Sequence, residues 1–255
     1  MAQQTPPPNL PVVPDLNNTT DDKKTQIANM FNHIAHRYDL LNRIISMGID
    51  QKWRQKALQL LEDQQPKLLM DVATGTGDFA LMAMEQLNPD KIVGIDIADG
   101  MLDLFRKKLA SIPDEKRTKF EILQADAENL PFADNNFDAI TVAFGVRNFA
   151  NLPLGLANMW RVLKPGGSLV ILELTQPPNK LMRLGYNAYN RYWLPFIGKM
   201  LSKNNSAYTY LPASIRAFPQ GNDFINHLKN AQFTHTRFIR LTFGICTIYF
   251  GKKPI

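Results

Sequence analysis

The chain has 255 residues, 45% of them hydrophobic and 20% charged, a balance that suits a globular protein with one large α/β domain or two small ones. No run of about 18 uninterrupted apolar residues occurs, so no membrane-spanning helix is expected. One cysteine, Cys246, excludes an internal disulfide and fits a reducing, cytoplasmic setting. The formal net charge of +6 would attract an anionic surface, a membrane or a nucleic acid. No aromatic-basic nucleic-acid motif accompanies it, so no nucleic-acid partner is expected.

The segment "MAQQTPPPNLPVVPDLNNTTDD" carries five prolines in its first 14 residues and lacks the basic start and apolar stretch of a signal peptide. Residues 1–20 are expected to form a disordered tail, with a single domain over 21–255. The spacing of Ile27, Met30, Phe31 and Ile34 predicts a helix over 24–37. A second helical pattern covers about 50–62, and residues 21–65 read as a helical lid. Strands are predicted at 67–72, 91–96, 119–124, 137–143 and 168–174. Helices are predicted at 78–87, 99–110 and 152–163. Such alternation points to an α/β fold, Rossmann-like, with a mostly parallel sheet and helices on both faces. Residues 178–215 read as a helical insert. Within it Leu181, Gly185, Tyr189, Tyr192, Trp193, Phe196, Ile197 and Met200 recur at helical spacing, broken by basic residues and by a kink expected at Pro195. The segment reads either as a helix packed on the sheet or as an aromatic, basic surface for the membrane interface. The closing "FTHTRFIRLTFGICTIYFGKK" suggests two antiparallel strands joined near Gly244, with Cys246 as a buried thiol.

In "LLMDVATGTGDFALMAM" an apolar strand meets Gly75-Thr76-Gly77 and returns as a helix, the opening of a nucleotide site. The G-x-G-x-x-A spacing with Asp96, 19 residues after Gly77, also fits a dinucleotide, so an NAD-dependent oxidoreductase is an alternative. A pyrophosphate needs the bare positive end of the following helix. Asp78 stands at that end, where it would cap the free N–H groups, and Asp71 closes the preceding strand. Two carboxylates there favour a ligand with an ammonium and a sulfonium. S-adenosyl-L-methionine carries both, with a ribose for Asp96. Asp126 closes the third strand and can accept from an adenine amino group. No His/Cys/Asp cluster has metal-ligand spacing, so no metal is expected.

These residues resemble class I S-adenosylmethionine-dependent methyltransferases, and further stretches are similar to the ubiquinone/menaquinone biosynthesis C-methyltransferase family. They are "FNHIAHRYDLLNRIISMGIDQKWRQKAL", "LPFADNNFDAITVAFGVRNFANL", "RVLKPGGSLVILEL", "YLPASIRAFP" and "LTFGICTIYFGKK". The resemblance implies a seven-stranded sheet with a reversed final strand. It also implies C-methylation of an isoprenoid quinol: demethylmenaquinol to menaquinol, or a polyprenyl-benzoquinol as the alternative. Thr76, Asp96, Asp126 and Ala127 match cofactor-binding positions of the family, and Asp71 and Gly75 fit by their place in the loop. Thr74 stands where glycine is common, and Ala143 where some members carry a serine that touches the cofactor.

Methylating an aromatic carbon calls for an electron-rich ring, best supplied by the quinol anion. Arg147 and Asn148 in "AFGVRNF" follow the fourth strand. A permanently charged arginine stabilises a phenolate, and an asparagine can donate to the same oxygen. An Arg–acid structural pair is the other reading of Arg147. Tyr38 and Asn42, four apart, share a face if their stretch is helical, and are expected to line the substrate cavity. His36, Tyr38 and Asp39 are candidates for the base, with none assigned.

Overall fold

A computed structural model describes residues 22–193 and 206–255. The tail expected over 1–20 and the kink expected at Pro195 lie outside the described residues. Helix α1 (Lys23–Ser46) is followed by α2 (Ile49–Gln59), and β1 (Leu68–Val72) opens the alternation. There follow α3 (Asp78–Leu87), β2 (Lys91–Asp96), α4 (Asp99–Ala110), the short α5 (Asp114–Arg117), β3 (Phe120–Gln124) and β4 (Phe137–Ala143). A 3₁₀ turn (Val146–Asn148) leads into α6 (Leu152–Val162), β5 (Leu163–Leu174) and α7 (Lys180–Ala188), which runs into a π turn (Tyr189–Trp193). The chain closes with α8 (Ser206–Ala217), α9 (Asn222–Asn230), β6 (Thr234–Leu241) and β7 (Cys246–Lys252).

The seven strands lie in the order β3-β2-β1-β4-β5-β7-β6. β1 is parallel to β2 and β4, while β7 runs antiparallel to both β5 and β6. The chain moves outward from β1 through β2 and β3, then returns to β4 on β1's other side. Ligands of open α/β sheets bind at such a switch point, beyond the strands' C-terminal ends. The central strands are apolar on both faces because both are covered. Met70, Val72, Ile140 and Val142 pack with Leu156 and Met159 of α6 and Phe224 and Leu228 of α9. Leu69, Ala139, Val170 and Leu172 pack on the other face with Trp53 and Ala57 of α2, Phe79 of α3 and Phe105 of α4. Successive side chains thus enter opposite cores, as a period of two requires.

Two boundaries and one added helix stand out against the sequence reading. Helix α1 continues past 37 through Ser46, where Met47 (φ 51°) and Gly48 (φ 75°) close it in the left-handed region. Its start is fixed by the Asp22 carboxylate, which accepts from the Thr25 N–H at 2.8 Å. β5 begins at Leu163, five residues early, and α9 has no counterpart in the predicted elements. The long α1 crosses the C-terminal edge of the sheet. Its Asn32 Oδ1 accepts from the Gly100 N–H at 2.9 Å, and Ala35 packs on Ala98 and Met101.

Candidate active site

Two adjoining cavities lie at the switch point. The first, about 690 Å³, is walled by the ends of β1, β2 and β4, by the loop after β3 and by α1; it includes Gly75, Asp96, Asp126, Ala127, Ala143 and Asn148. The second, about 1050 Å³, is mostly apolar and runs between α1, α2, α7 and α8, with Tyr38, Asn42 and Arg147 in its wall. Phe31, Tyr38 and Phe144 border both.

The acidic side chains of the first cleft are Asp96, Asp126 and Glu128. Asp96 Oδ2 accepts from the Gly75 N–H and Oδ1 from the Ala98 N–H, both at 2.9 Å. Burial pushes its carboxyl above the usual range, against those bonds. Each oxygen keeps a lone pair for a ribose hydroxyl. Asp126 and Glu128 are bridged by Lys24 of α1 at 2.6 and 2.8 Å. Lys23 reaches the Phe149 carbonyl at 2.7 Å, and burial, opposed by Glu128, brings its amine down to about 8.

The structure brings Gly75, Asp96, Asp126, Ala127 and Ala143 to the cleft wall but not Asp71, Thr76 or Gly77. Asp71 turns inward, its carboxylate accepting from Thr74 Oγ1 at 2.6 Å and Thr141 Oγ1 at 2.7 Å. Thr74, the departure from a glycine loop, therefore supports that acid. The Thr76 hydroxyl donates to Asp39 and accepts from Lys108 at 3.1 Å. Gly77 (φ +83°) serves packing, since a Cβ there would stand 2.1 Å from Phe105. Asp78 does not cap α3; it pairs with Lys108, which also holds Asp39 at 2.7 Å. The negative charge that disfavours a diphosphate therefore comes not from Asp71 and Asp78 but from Asp96, Asp126 and Glu128, three carboxylates against the Lys24 ammonium in the cleft wall. Sequence reasoning missed Glu128, two residues beyond Asp126 in "QADAENLPF", and Lys24.

Of the three base candidates, Asp39 is held by Lys108, and His36 lies exposed on α1 away from both cavities. Tyr38 stands between the cavities, hydrogen-bonded to Asn42 one turn on. Burial pushes its hydroxyl above its ordinary value, against Asn42 and the nearby arginines.

Arg147 is both a member of a buried ion pair and a wall residue. Its Nη1 donates to Glu173 Oε1 at 2.7 Å and to the Phe144 carbonyl, and its own N–H to Glu173 Oε2 at 3.2 Å. Burial works against the guanidinium's charge, but Glu173 and the Tyr38 and Tyr210 hydroxyls hold its pKa above the ordinary value. Its Nε is buried without a partner. Asn148 faces the first cleft instead, its Oδ1 accepting from the Tyr210 hydroxyl at 3.0 Å, so the two residues do not share one cavity. The close approach of the loops after β1 and β4 requires Gly145, where a Cβ would lie 2.4 Å from that of Ala73.

A reversed final strand beside a parallel sheet, an acidic cleft at the switch point and an adjoining apolar cavity define an S-adenosylmethionine-dependent methyltransferase. Solved structures agree on the fold: a Thermotoga maritima SAM-dependent methyltransferase superposes with a TM-score of 0.61 at 16% identity, over 89% of this chain and 99% of that one. The chain belongs to the ubiE/COQ5 methyltransferase family, whose model matches residues 19–253. The demethylmenaquinone methyltransferase of Bacteroides fragilis is 48% identical over 92% of this chain and 96% of its own. The ubiquinone/menaquinone biosynthesis C-methyltransferase of Geobacter sulfurreducens is 43% identical over 92% and 91%. Membership of this family sets aside the NAD-dependent oxidoreductase.

Proposed function

We propose that the protein C-methylates a demethylmenaquinol ring to menaquinol. The observation that carries this reading is a large apolar cavity joined through Tyr38 and Phe144 to an acidic cleft, with the Glu173-paired guanidinium of Arg147 in its wall. Bound in the cleft, S-adenosylmethionine supplies an electrophilic methyl group. Asp96 would accept from its ribose, Asp126 and Glu128 would offer acceptors and negative charge, and the Ala127 and Ala143 walls leave room for the adenine and the methionine stem. Diphosphates meet repulsion from the same acids.

In the apolar cavity Arg147 does the electrostatic work. A quinol oxygen beside its guanidinium loses its proton more readily next to a fixed positive charge. Tyr38 and Asn42 flank the ring. Asn148, its carbonyl taken by Tyr210, leaves its NH₂ as the group it can donate at the cleft wall. Holding ring and donor in line contributes up to roughly 7–11 kcal/mol of barrier lowering. Helix α1 acts as a lid, latched by Lys23 and Lys24.

A lipophilic substrate also accounts for the outer surface. Ten large apolar side chains stand exposed among the described residues; seven of them, Leu40, Met47, Leu181, Met182, Leu184, Tyr192 and Phe243, flank segments that line the apolar cavity. Between Glu173 and Asp223 the sequence has six basic residues and no carboxylate. This surface suits peripheral contact with an anionic membrane on its cytoplasmic side.

The test is methyl transfer from labelled S-adenosylmethionine to chemically reduced short-chain demethylmenaquinol and polyprenyl-benzoquinol, side by side. Label in the naphthoquinol ring carbon is expected. Label in neither ring overturns the reading, and label in the benzoquinol alone replaces the substrate.

A further inference from the structure

The apolar cavity has two charged wall residues among those described, Arg147 and Asp50. The mechanism above leaves Asp50 unused. Its position follows from the chain: Gly48, at φ 75°, turns α1 into α2 and sets Asp50 in the new helix's first turn. Its carboxylate is held from two sides. Oδ1 accepts from Ser46 Oγ at 2.7 Å, and Oδ2 pairs with Arg54, one helical turn on. Arg54 in turn lies over the Phe144 ring, 5.3 Å from its centroid. Both side chains of the pair are only 7% exposed, so this is no solvated i,i+4 surface pair.

A carboxylate has about four acceptor sites and no donor, and Ser46 and Arg54 occupy two of them. The remaining acceptors border a cavity whose nearby walls are Ile45, Trp53 and Ile245. Such an acceptor is costly unless a ligand donates to it. The ring proposed above exists in two redox forms. A quinol presents two hydroxyls, each able to donate. A quinone presents two carbonyls, which only accept. Arg147, a pure donor, can engage either form; Asp50, a pure acceptor, can engage only the reduced one.

We infer that Asp50 accepts a hydrogen bond from one hydroxyl of the bound ring and so selects quinol over quinone. This rests on the quinol reading of the cavity. Selection matters because the quinone ring is electron-poor and cannot take the methyl, yet it would otherwise occupy the same cavity. Sites that hydrogen-bond a substrate hydroxyl reject analogues lacking it far more strongly than apolar contacts can.

The experiment is anaerobic calorimetry on the full chain saturated with S-adenosylhomocysteine. A demethylnaphthoquinol with one prenyl unit is titrated against its quinone. The unaltered protein is expected to bind the quinol at least roughly tenfold tighter, the scale of one hydrogen bond to a charged group. Asp50→Asn, whose amide can donate to a carbonyl, should bring the ratio close to one, with S-adenosylhomocysteine affinity held within about twofold as a check on folding. Asp50→Glu should keep the preference. Equal binding of both forms by the unaltered protein overturns the inference, whatever the variants do, as does a preference that survives in Asp50→Asn. Binding of neither form instead overturns the quinol reading itself.

Discussion

Asp71 offers a quantitative test of how the cofactor loop is supported. It is the penultimate residue of β1, is 1% exposed and lies just before the turn that carries Gly75. Burial pushes its carboxyl to about 6 from an ordinary 3.8, even though Thr74 and Thr141 both donate to it and Arg54 lies near. The folded state therefore holds the proton more tightly than the unfolded chain. Below about pH 3 the group is protonated in both states and imposes no penalty. As pH rises from 4 through 6, the unfolded chain ionises first and the fold loses relative stability. At about 1.4 kcal/mol per pH unit of separation, the loss totals about 3 kcal/mol by neutrality. Asp71→Asn cannot ionise, and its amide still serves both threonine hydroxyls once one rotates to accept. Urea unfolding followed by circular dichroism from pH 4 to 7 should show wild-type stability falling by about 2 kcal/mol or more relative to the variant. A difference that stays flat with pH refutes the reasoning.

Asp96→Asn must turn an amide nitrogen toward one of two backbone N–H donors and offers a weaker acceptor to the ribose. Its dissociation constant for S-adenosylhomocysteine should rise roughly tenfold or more by calorimetry, with the far-ultraviolet spectrum unchanged. Gly77→Ala forces a Cβ into Phe105 at a left-handed φ and should cost about 2 kcal/mol or more in urea unfolding. Phe243→Asp combined with Leu184→Asp should abolish flotation with anionic vesicles at low salt while leaving turnover of a short-chain quinol intact.

The sheet was legible wherever glycine or a short polar break punctuates the apolar runs, which is why α3 and α4 begin and end where periodicity places them. Helix α1 was cut short because the exposed His36-Arg37 pair interrupts the pattern, although Leu41 carries the buried face onward. α9 was missed because "NDFINHLKN" is short and offers only Phe224, Ile225 and Leu228 as buried positions. Gly75, Asp96 and Asp126 could be read because consecutive strand ends share one edge of a parallel sheet. That reasoning places a residue at the edge without saying which way its side chain turns. It therefore misjudged Asp71, which faces inward, and Asp78, which meets Lys108, thirty positions along the chain. Glu173 behind Arg147 and Lys24 on Asp126 are contacts between distant segments, and no local pattern encodes them.

The two charged residues of the apolar cavity share a construction that would orient the proposed quinol ring. Arg147 is backed by Glu173 and Asp50 by Arg54, each pair buried, so the walls carry charges of both signs without a net one. A neutral quinol can enter without facing an unbalanced field. Losing one partner of such a pair costs about 3–5 kcal/mol, so both pairs also hold the cavity's shape. Once the ring loses a proton the ends are no longer equivalent. On the proposed reading, the developing anion would be favoured beside the Arg147 guanidinium and opposed beside the Asp50 carboxylate, where the hydroxyl would stay protonated. Arg147 adjoins Asn148, which faces the cofactor cleft. On the proposed quinol reading, the oxygen beside Arg147 would be the one that ionises, and the carbon next to it, the one its charge enriches, would be the carbon that takes the methyl.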